Sequence, residues 1–433
     1  MRRFFLLPLA ALGLQAAQPG PVFYKDVLPV LQNHCQTCHR PGEAAPMSLI
    51  TYKDVRPYAA AIRESVQLRK MPPWGADPAH GKFANDPSLS DKERQVLIDW
   101  AAAKAPEGDP KDAPKPLEFT EGWNIGKPDA VFEMPKPYAI PAKGTIAYTY
   151  YVIPMHFDED RWVQAAEIRP GNRALVHHVI GYVRSSKSEW LRDAKIGEPY
   201  VPAEPFDQRN HPKGWGQFLV GYAPGYRQLS YEPGQAKLIK AGSDLVFEVH
   251  YTANGTPGTD LTRLGIVFAK EPPRERVLTI GASEGDFVIP PGASSHPVHA
   301  DFKFYGNAKI LDMSPHMHVR GKSFRYEMVR ADGSRETILN VPRYDFQWQH
   351  HYRPAEPIQI KDGTTIECFA TYDNSLNNPW NPDPKKEVRW GDQSWEEMMI
   401  GFMEVAFDAK LSPEEIFVAP ENRSNAHPTT AKK

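Results

Sequence analysis

Ala174-Leu-Val-His-His-Val-Ile-Gly-Tyr-Val183 is a short run of β-branched, aliphatic and aromatic residues flanked by Gly, Pro and Asn. Such a run is too short for an amphipathic helix and reads as a β-strand. The same texture recurs in Ile146–Ile153, Asp244–Tyr251, Leu264–Phe268, Lys309–Met313, Ser323–Val329, Thr364–Tyr372 and Met398–Phe407. So many short strands predict β-sandwich domains, and their combined length is too much for one. We expect two all-β, jelly-roll-like sandwiches over residues 131–283 and 284–419, divided in the Pro- and Gly-containing stretch Glu275–Gly292. Residues 420–433 are polar and are expected to form a flexible tail.

The composition agrees. The chain has 433 residues, 43 Pro, 30 Gly and 3 Cys, enough length for several cores and too few cysteines for a disulfide scaffold. Lys and Arg (51) balance Asp and Glu (53), so no basic face offers itself to a phosphate backbone and no nucleic-acid partner is expected.

At the N-terminus, Arg2 and Arg3 precede the apolar run Phe4–Leu14 and the small residues Ala16 and Ala17. That order predicts a secretory signal peptide over residues 1–17 and a periplasmic or secreted protein. The alternative, a membrane anchor, would need about 20 apolar residues. No transmembrane span is expected in the mature chain.

Next comes Cys35-Gln-Thr-Cys38-His39, the attachment pattern of haem c: two thiols to bond the haem vinyl groups and a histidine beside them for the iron. No second Cys-x-x-Cys completes a zinc tetrad. The preceding residues 24–34 read as a short helix with Val27, Val30 and Leu31 on one stripe, not as the strand of a thioredoxin-like unit. In Lys70-Met71-Pro72-Pro73-Trp74 the thioether of Met71 is the best sixth ligand to the iron, with Met47 as competitor. Ser90-Asp91-Lys92-Glu93 starts a further helix through Val96, Leu97, Trp100 and Ala101. Residues 18–106 are therefore expected to be a small all-α domain that resembles a class I-like cytochrome c. Residues 107–130 follow as linker, Pro106–Pro116 being rich in Pro, Asp, Lys and Gly.

Histidines cluster on the strand-like runs. His316-Met-His318 places two imidazoles on one face of a strand, where they can share a metal. His177 and His178 are adjacent and would point to opposite faces, so they can hold one ion only at a bulge or a strand end. His250 ends another strand.

The order Val176-His-His178, Glu248-Val-His250-Tyr, His316-Met-His318-Val-Arg-Gly-Lys and Glu396-Glu-Met398 resembles the copper type II, ascorbate-dependent monooxygenases, the family of peptidylglycine α-hydroxylating and dopamine β-monooxygenases. The resemblance spans about residues 130–410. It implies two copper-bearing sandwiches facing each other across a solvent-filled cleft. It assigns His177, His178 and His250 to the copper that supplies an electron, and His316, His318 and Met398 to the copper where dioxygen is activated. Imidazole serves both copper oxidation states, and a weak thioether favours Cu(I) over zinc. By alternation Met398 faces away from Met399 and Met403, and spacing alone does not choose between the two sides.

There are departures from the family. Cys368 is the only cysteine of the sandwich region, and the cysteine that follows the family's ligand methionine is Met399 here. Cys368 then reads as a small buried strand residue. Ser314-Pro315 stands where the peptide enzyme carries a substrate-binding arginine, so peptide amidation is not supported. His156, Glu248, Tyr344, His350 and His351 are further polar candidates for lining a cleft.

The fusion of haem and copper motifs implies that an external donor reduces the haem, that the haem feeds two copper ions, and that a small organic substrate is hydroxylated with O2. The competing expectations are a periplasmic haem and copper electron-transfer protein without hydroxylase activity, or a copper-binding sandwich with a haem appendage.

Overall fold

The computed structural model describes residues 20–423, apart from 44, 121, 203–215 and 224–228. The expected signal peptide, residues 1–17, and the tail beyond 423 lie outside the described residues, while Pro420–Asn422 forms a 3-10 turn. The molecule is mainly β-sheet with a few short helices. Among the described residues, no helix is long and apolar enough to cross a membrane.

The chain divides into two compact units. The first is helical and comprises residues up to 40, 47–72 and 88–117. Helix Leu28–His34 extends a π-turn at Phe23–Val27 and buries Val27, Val30 and Leu31, the expected stripe. Helix Asp91–Ala102 starts on a capping box in which Ser90 and Glu93 satisfy each other's backbone N–H groups. Its buried face carries Leu97 and Trp100. Phe23 packs on Trp100, whose indole N–H donates to the Pro106 carbonyl at 3.0 Å.

Residues 41–46 and 73–87, inside the stretch expected to form the haem domain, belong to the second, β unit with residues 118 onward. Segment 73–87 is stitched to the strands near its end. Asp77 N–H donates to the Asn340 carbonyl at 2.8 Å, Ala84 N–H to Arg353 at 2.8 Å, and Ala355 N–H to Lys82 at 2.8 Å.

One long sheet runs through the β unit. Its spatial order is Ala130–Glu133, Arg263–Phe268, Arg161–Arg169, Gln235–Ile239, Glu275–Ser283, Ile400–Asp408, Ala308–His316 and Ile358–Ile360. Two four-stranded sheets pack against it. The first is Thr149–Pro154, Ser243–Tyr251, Val176–Ser185 and Gln217–Tyr222; its Phe247 and Val249 share a core with Val163 and Ile266. The second is His296–Lys303, Thr365–Tyr372, Gly321–Val329 and Arg335–Val341; its Phe324 and Ala370 share a core with Ile310 and Val405.

Alternation explains both. In Thr365–Tyr372, Ile366, Cys368, Ala370 and Tyr372 point inward and their neighbours outward. Strand Ser243–Tyr251 is buried at every position: Leu245, Phe247 and Val249 face the core, while Glu248 and His250 face the other side. Cys368 sits in the second core, as its bland reading expects.

The two sandwiches are joined by more than the connecting chain. Gln235 and Ala236 pair in parallel with Glu275 and Arg276, which makes the long sheet continuous. Beneath this seam the ammonium of buried Lys237 lies 2.9 Å from Glu404 and 2.7 Å from Thr279, so a charge pair from both halves sits inside the joint.

Candidate functional site

His177 and His178 lie on strand Val176–Ser185, paired antiparallel with Ser243–Tyr251, and His178 stands directly opposite His250. The register shifts between Val176 and His178, so the bulge that the adjacent pair requires is present. It turns His177 to the same side as its neighbour. The three histidines are buried, and one ring nitrogen from each lies within 4.8 Å of the other two. His177 Nδ1 is 3.1 Å from His178 Nδ1, while His177 Nε2 and His250 Nδ1 are buried with no hydrogen-bond partner. Buried ring nitrogens left unpaired are costly, and a metal ion would satisfy them. Burial, and then the neighbouring imidazoles, hold the rings neutral: His177 is lowered to about 4, His250 to about 3 and His178 well below its usual value. A neutral imidazole is the metal-binding form.

His316 ends strand Ala308–His316, and His318 lies two residues beyond. Between them Met317 points into the core, so the two imidazoles share the other side, with ring centroids 5.2 Å apart. Each is held through Nδ1: His316 to Gln349 Oε1 at 2.7 Å, His318 to the Glu396 carbonyl at 3.3 Å. This arrangement leaves Nε2 for a metal, and His318 Nε2 is buried without a partner. Burial lowers His316 to about 4 and His318 well below its usual range. Glu397 fixes the turn, its carboxylate accepting from the N–H groups of His318 at 2.8 Å and Arg320 at 2.7 Å. Burial pushes its carboxyl up to about 8 against those hydrogen bonds.

Met398 follows Glu397 directly and is half-buried, its carbonyl accepting from the Tyr372 hydroxyl at 2.6 Å. Met399 and Met403 are packed in the second core, on the other side of the alternation.

The two histidine sets are neighbours. Phe346 stacks on His177 with centroids 5.1 Å apart and lies 6.0 Å from His318 and 6.4 Å from His250. A small pocket of about 60 Å³ is lined by His178, His316, Gln349, Phe218 and Phe402 among others. Phe346 and Gln349 carried no sequence signal, being single residues in an irregular stretch.

Of the other polar candidates, His351 lines the same pocket and pairs with Asp312 at 2.9 Å. His350 is held by the ring of Trp348, stacked at 6.0 Å. Tyr344 donates to the Met317 carbonyl at 2.7 Å and is a support. Glu248 is buried against Tyr150 and Tyr182, and burial lifts it to about 8. His156 occupies a left-handed turn at φ 54°.

In the helical unit, Cys35 caps helix Leu28–His34, and the N–H groups of Cys38 and His39 donate to its carbonyl at 3.1 and 2.9 Å. His39 Nδ1 lies 3.3 Å from the Met47 carbonyl, which leaves Nε2 for a metal. Burial pushes the Cys35 thiol up to about 12 and lowers His39. Cys35 lies among Leu31, Met47, Tyr52 and Ile62, an apolar setting suited to a porphyrin. The donor set and surroundings fit a covalent haem. Met71 is half-buried after helix Ala59–Gln67, its N–H 3.4 Å from the Ser65 carbonyl.

No family model and no curated protein matches the chain. Among solved structures it is similar to the infectious bursal disease virus Gx strain, at 10% identity over 66% of this chain and 74% of that one, with TM-score 0.20. It is also similar to the CBM22-1-CBM22-2 tandem domain of Paenibacillus barcinonensis Xyn10C, at 9% identity over 66% of this chain and 94% of that one, with TM-score 0.13. Likenesses this weak carry no argument about fold or function.

Proposed function

We propose that this chain is an exported, haem- and copper-dependent monooxygenase that hydroxylates a C–H bond of a small organic substrate with O2. In this reading the helical unit is a cytochrome c-like carrier of haem c, and the two jelly-roll-like sandwiches each hold one copper ion. The observation that carries it is the convergence of His177, His178 and His250, neutral and with orphaned nitrogens, beside the pair His316 and His318.

When bound, copper would supply one-electron redox chemistry and dioxygen activation, and haem c would supply a refillable electron store. The chain's own residues do the rest. His177, His178 and His250 form a three-nitrogen donor set. His316 and His318, with Met398 as thioether, would form the second donor set. Gln349 and the Glu396 carbonyl hold Nδ1 of each ring, and Glu397 locks the backbone between His318 and Arg320. Cys35, Cys38 and His39 would bind the haem, and Met71 would offer it a thioether.

One observation favours the second reading, an electron relay without hydroxylation. The pocket beside the histidines, about 60 Å³, is well under the ~150 Å³ of a cavity that accepts benzene.

The test is the copper-to-haem ratio of holo-protein matured with both cofactors, repeated after Met398→Ala and His250→Ala. Two coppers per haem, with a different site weakened by each substitution, is the expected result. One copper or none, or indifference to both substitutions, overturns the two-site assignment. Oxygen-18 incorporation into product then separates hydroxylase from relay.

A further inference from the structure

Segment 73–87 ties the chain that follows Met71 to one particular place in the β unit. Trp74 is the third residue after Met71, so covalent geometry alone keeps their Cα atoms within about 11 Å. Its indole packs on Tyr352 with centroids 4.7 Å apart and on His350 at 5.8 Å. Asn85 fixes the same edge, its side-chain amide donating to the His351 carbonyl at 2.7 Å. His350 adjoins Gln349, and Gln349 Oε1 lies 2.7 Å from His316 Nδ1. An unbroken sequence of packed rings, one peptide link and one hydrogen bond thus runs from Trp74 to His316. Nothing assigned so far uses Trp74 or His350. Yet His350 Nε2 is buried without a partner, and burial holds the ring neutral, lowering it to about 4.

The other segment of this kind, residues 41–46, meets the first sandwich differently. Glu43 forms an ion pair with Arg173, four residues before His177 along the chain. From there the way to the three-histidine set follows backbone from Arg173 to His177, or crosses the Tyr222 ring, which lies 5.9 Å from the Arg173 guanidinium, and its strand neighbour Val179; neither way offers packed rings joined by a hydrogen bond to a ring nitrogen of the set.

We infer that Trp74 is the electron-entry residue of the β unit, and that an electron arriving there reaches the His316/His318 centre before the three-histidine centre. The inference rests on the reading of haem c at Cys35, Cys38 and His39 and copper at both histidine sets. It departs from the order that the family resemblance implies, in which the three-histidine copper supplies the electron. The step moves one electron: ferrous haem becomes ferric and one Cu(II) becomes Cu(I), with no bond made or broken and no proton transferred. Trp74 and His350 act as the intervening medium and are not themselves oxidised.

The experiment uses the full chain loaded with haem and copper, oxidised and without oxygen. The haem is reduced by a pulse, and its reoxidation is followed optically beside freeze-quenched Cu(II) EPR, with no substrate present. Trp74→Leu is expected to slow haem reoxidation by an order of magnitude or more, with haem and copper content unchanged. Trp74→Phe should retain most of the rate. In His250→Ala the fast phase should persist. Should Trp74→Leu fail to fold, His350→Leu carries the same expectation. A wild-type rate in the leucine variants, or loss of the fast phase in His250→Ala, overturns the inference and leaves the proposed function standing. A wild-type protein that loads both cofactors and passes no electron between them overturns both.

Discussion

Replacing Lys237 by methionine removes the cation from the joint between the sandwiches. Lys237 is 1% exposed, and its Nζ lies 2.7–3.1 Å from the Phe218 and Leu219 carbonyls, Thr279 Oγ1 and Glu404 Oε1. Without it the Glu404 carboxylate stays buried, accepting from the Tyr231 and Thr279 hydroxyls, each at 2.7 Å, with the Lys237 ammonium no longer beside it. Breaking a buried pair by deleting one partner costs about 3–5 kcal/mol. At about 2.1 cal/mol/K per residue, a β unit of roughly 300 residues unfolds with an entropy near 0.6 kcal/mol/K, so Tm should fall by about 5–8 °C. Calorimetry of the full chain reads this directly. The double variant Lys237→Met with Glu404→Met removes both members of the buried pair and should recover most of the loss. A single variant that melts within about 2 °C of wild type would refute the claim that this charge pair secures the joint.

Three other outcomes are expected. Metal-free protein should lose stability as pH falls from about 6.5 towards 4, because unfolded imidazoles near 6.5 take up protons that buried His177 and His316, at about 4, and His250, at about 3, refuse. Glu248 and Glu397, raised to about 8, act in the opposite sense over this window but are outnumbered by the lowered histidines, seven with His39 and His350; urea midpoints that stay flat between pH 7.5 and 5 would contradict the balance. Glu397→Gln should weaken copper at the His316/His318 set by about 10–100-fold in a chelator competition while the three-histidine set keeps its affinity. Ser90→Ala deletes the side-chain oxygen that accepts the Glu93 N–H, and should cost about 1 kcal/mol in the melting of the helical unit.

Local pattern made the elements legible. All eight quoted runs became strands, because alternating or fully apolar runs bounded by turn residues have few other ways to bury themselves. The capping box at Ser90 and the stripe on Leu28–His34 were equally visible. The need for a bulge at His177 followed from side-chain alternation and is met. Long-range packing was not visible. Trp74 reads as a stiff loop residue beside two prolines; its partners His350 and Tyr352 lie far away in the chain, and no periodicity links them. Continuity of the long sheet rests on a two-residue parallel pairing, too short to leave a pattern. Gln349 and Phe346 gain their roles only from the fold that surrounds them.

The shared sheet also decides what can move. Two sandwiches joined by a flexible tether would swing apart as bodies, on the microsecond to millisecond scale of hinges. Here a swing would have to tear Glu275–Ser283 from Gln235–Ile239 and pull the Lys237 ammonium away from Glu404. The spacing of the two histidine sets is therefore set by the backbone mesh. Between them lies the half-buried ring of Phe346, 5.1 Å from the ring of His177 and 6.0 Å from that of His318, so this spacer is held in the same mesh.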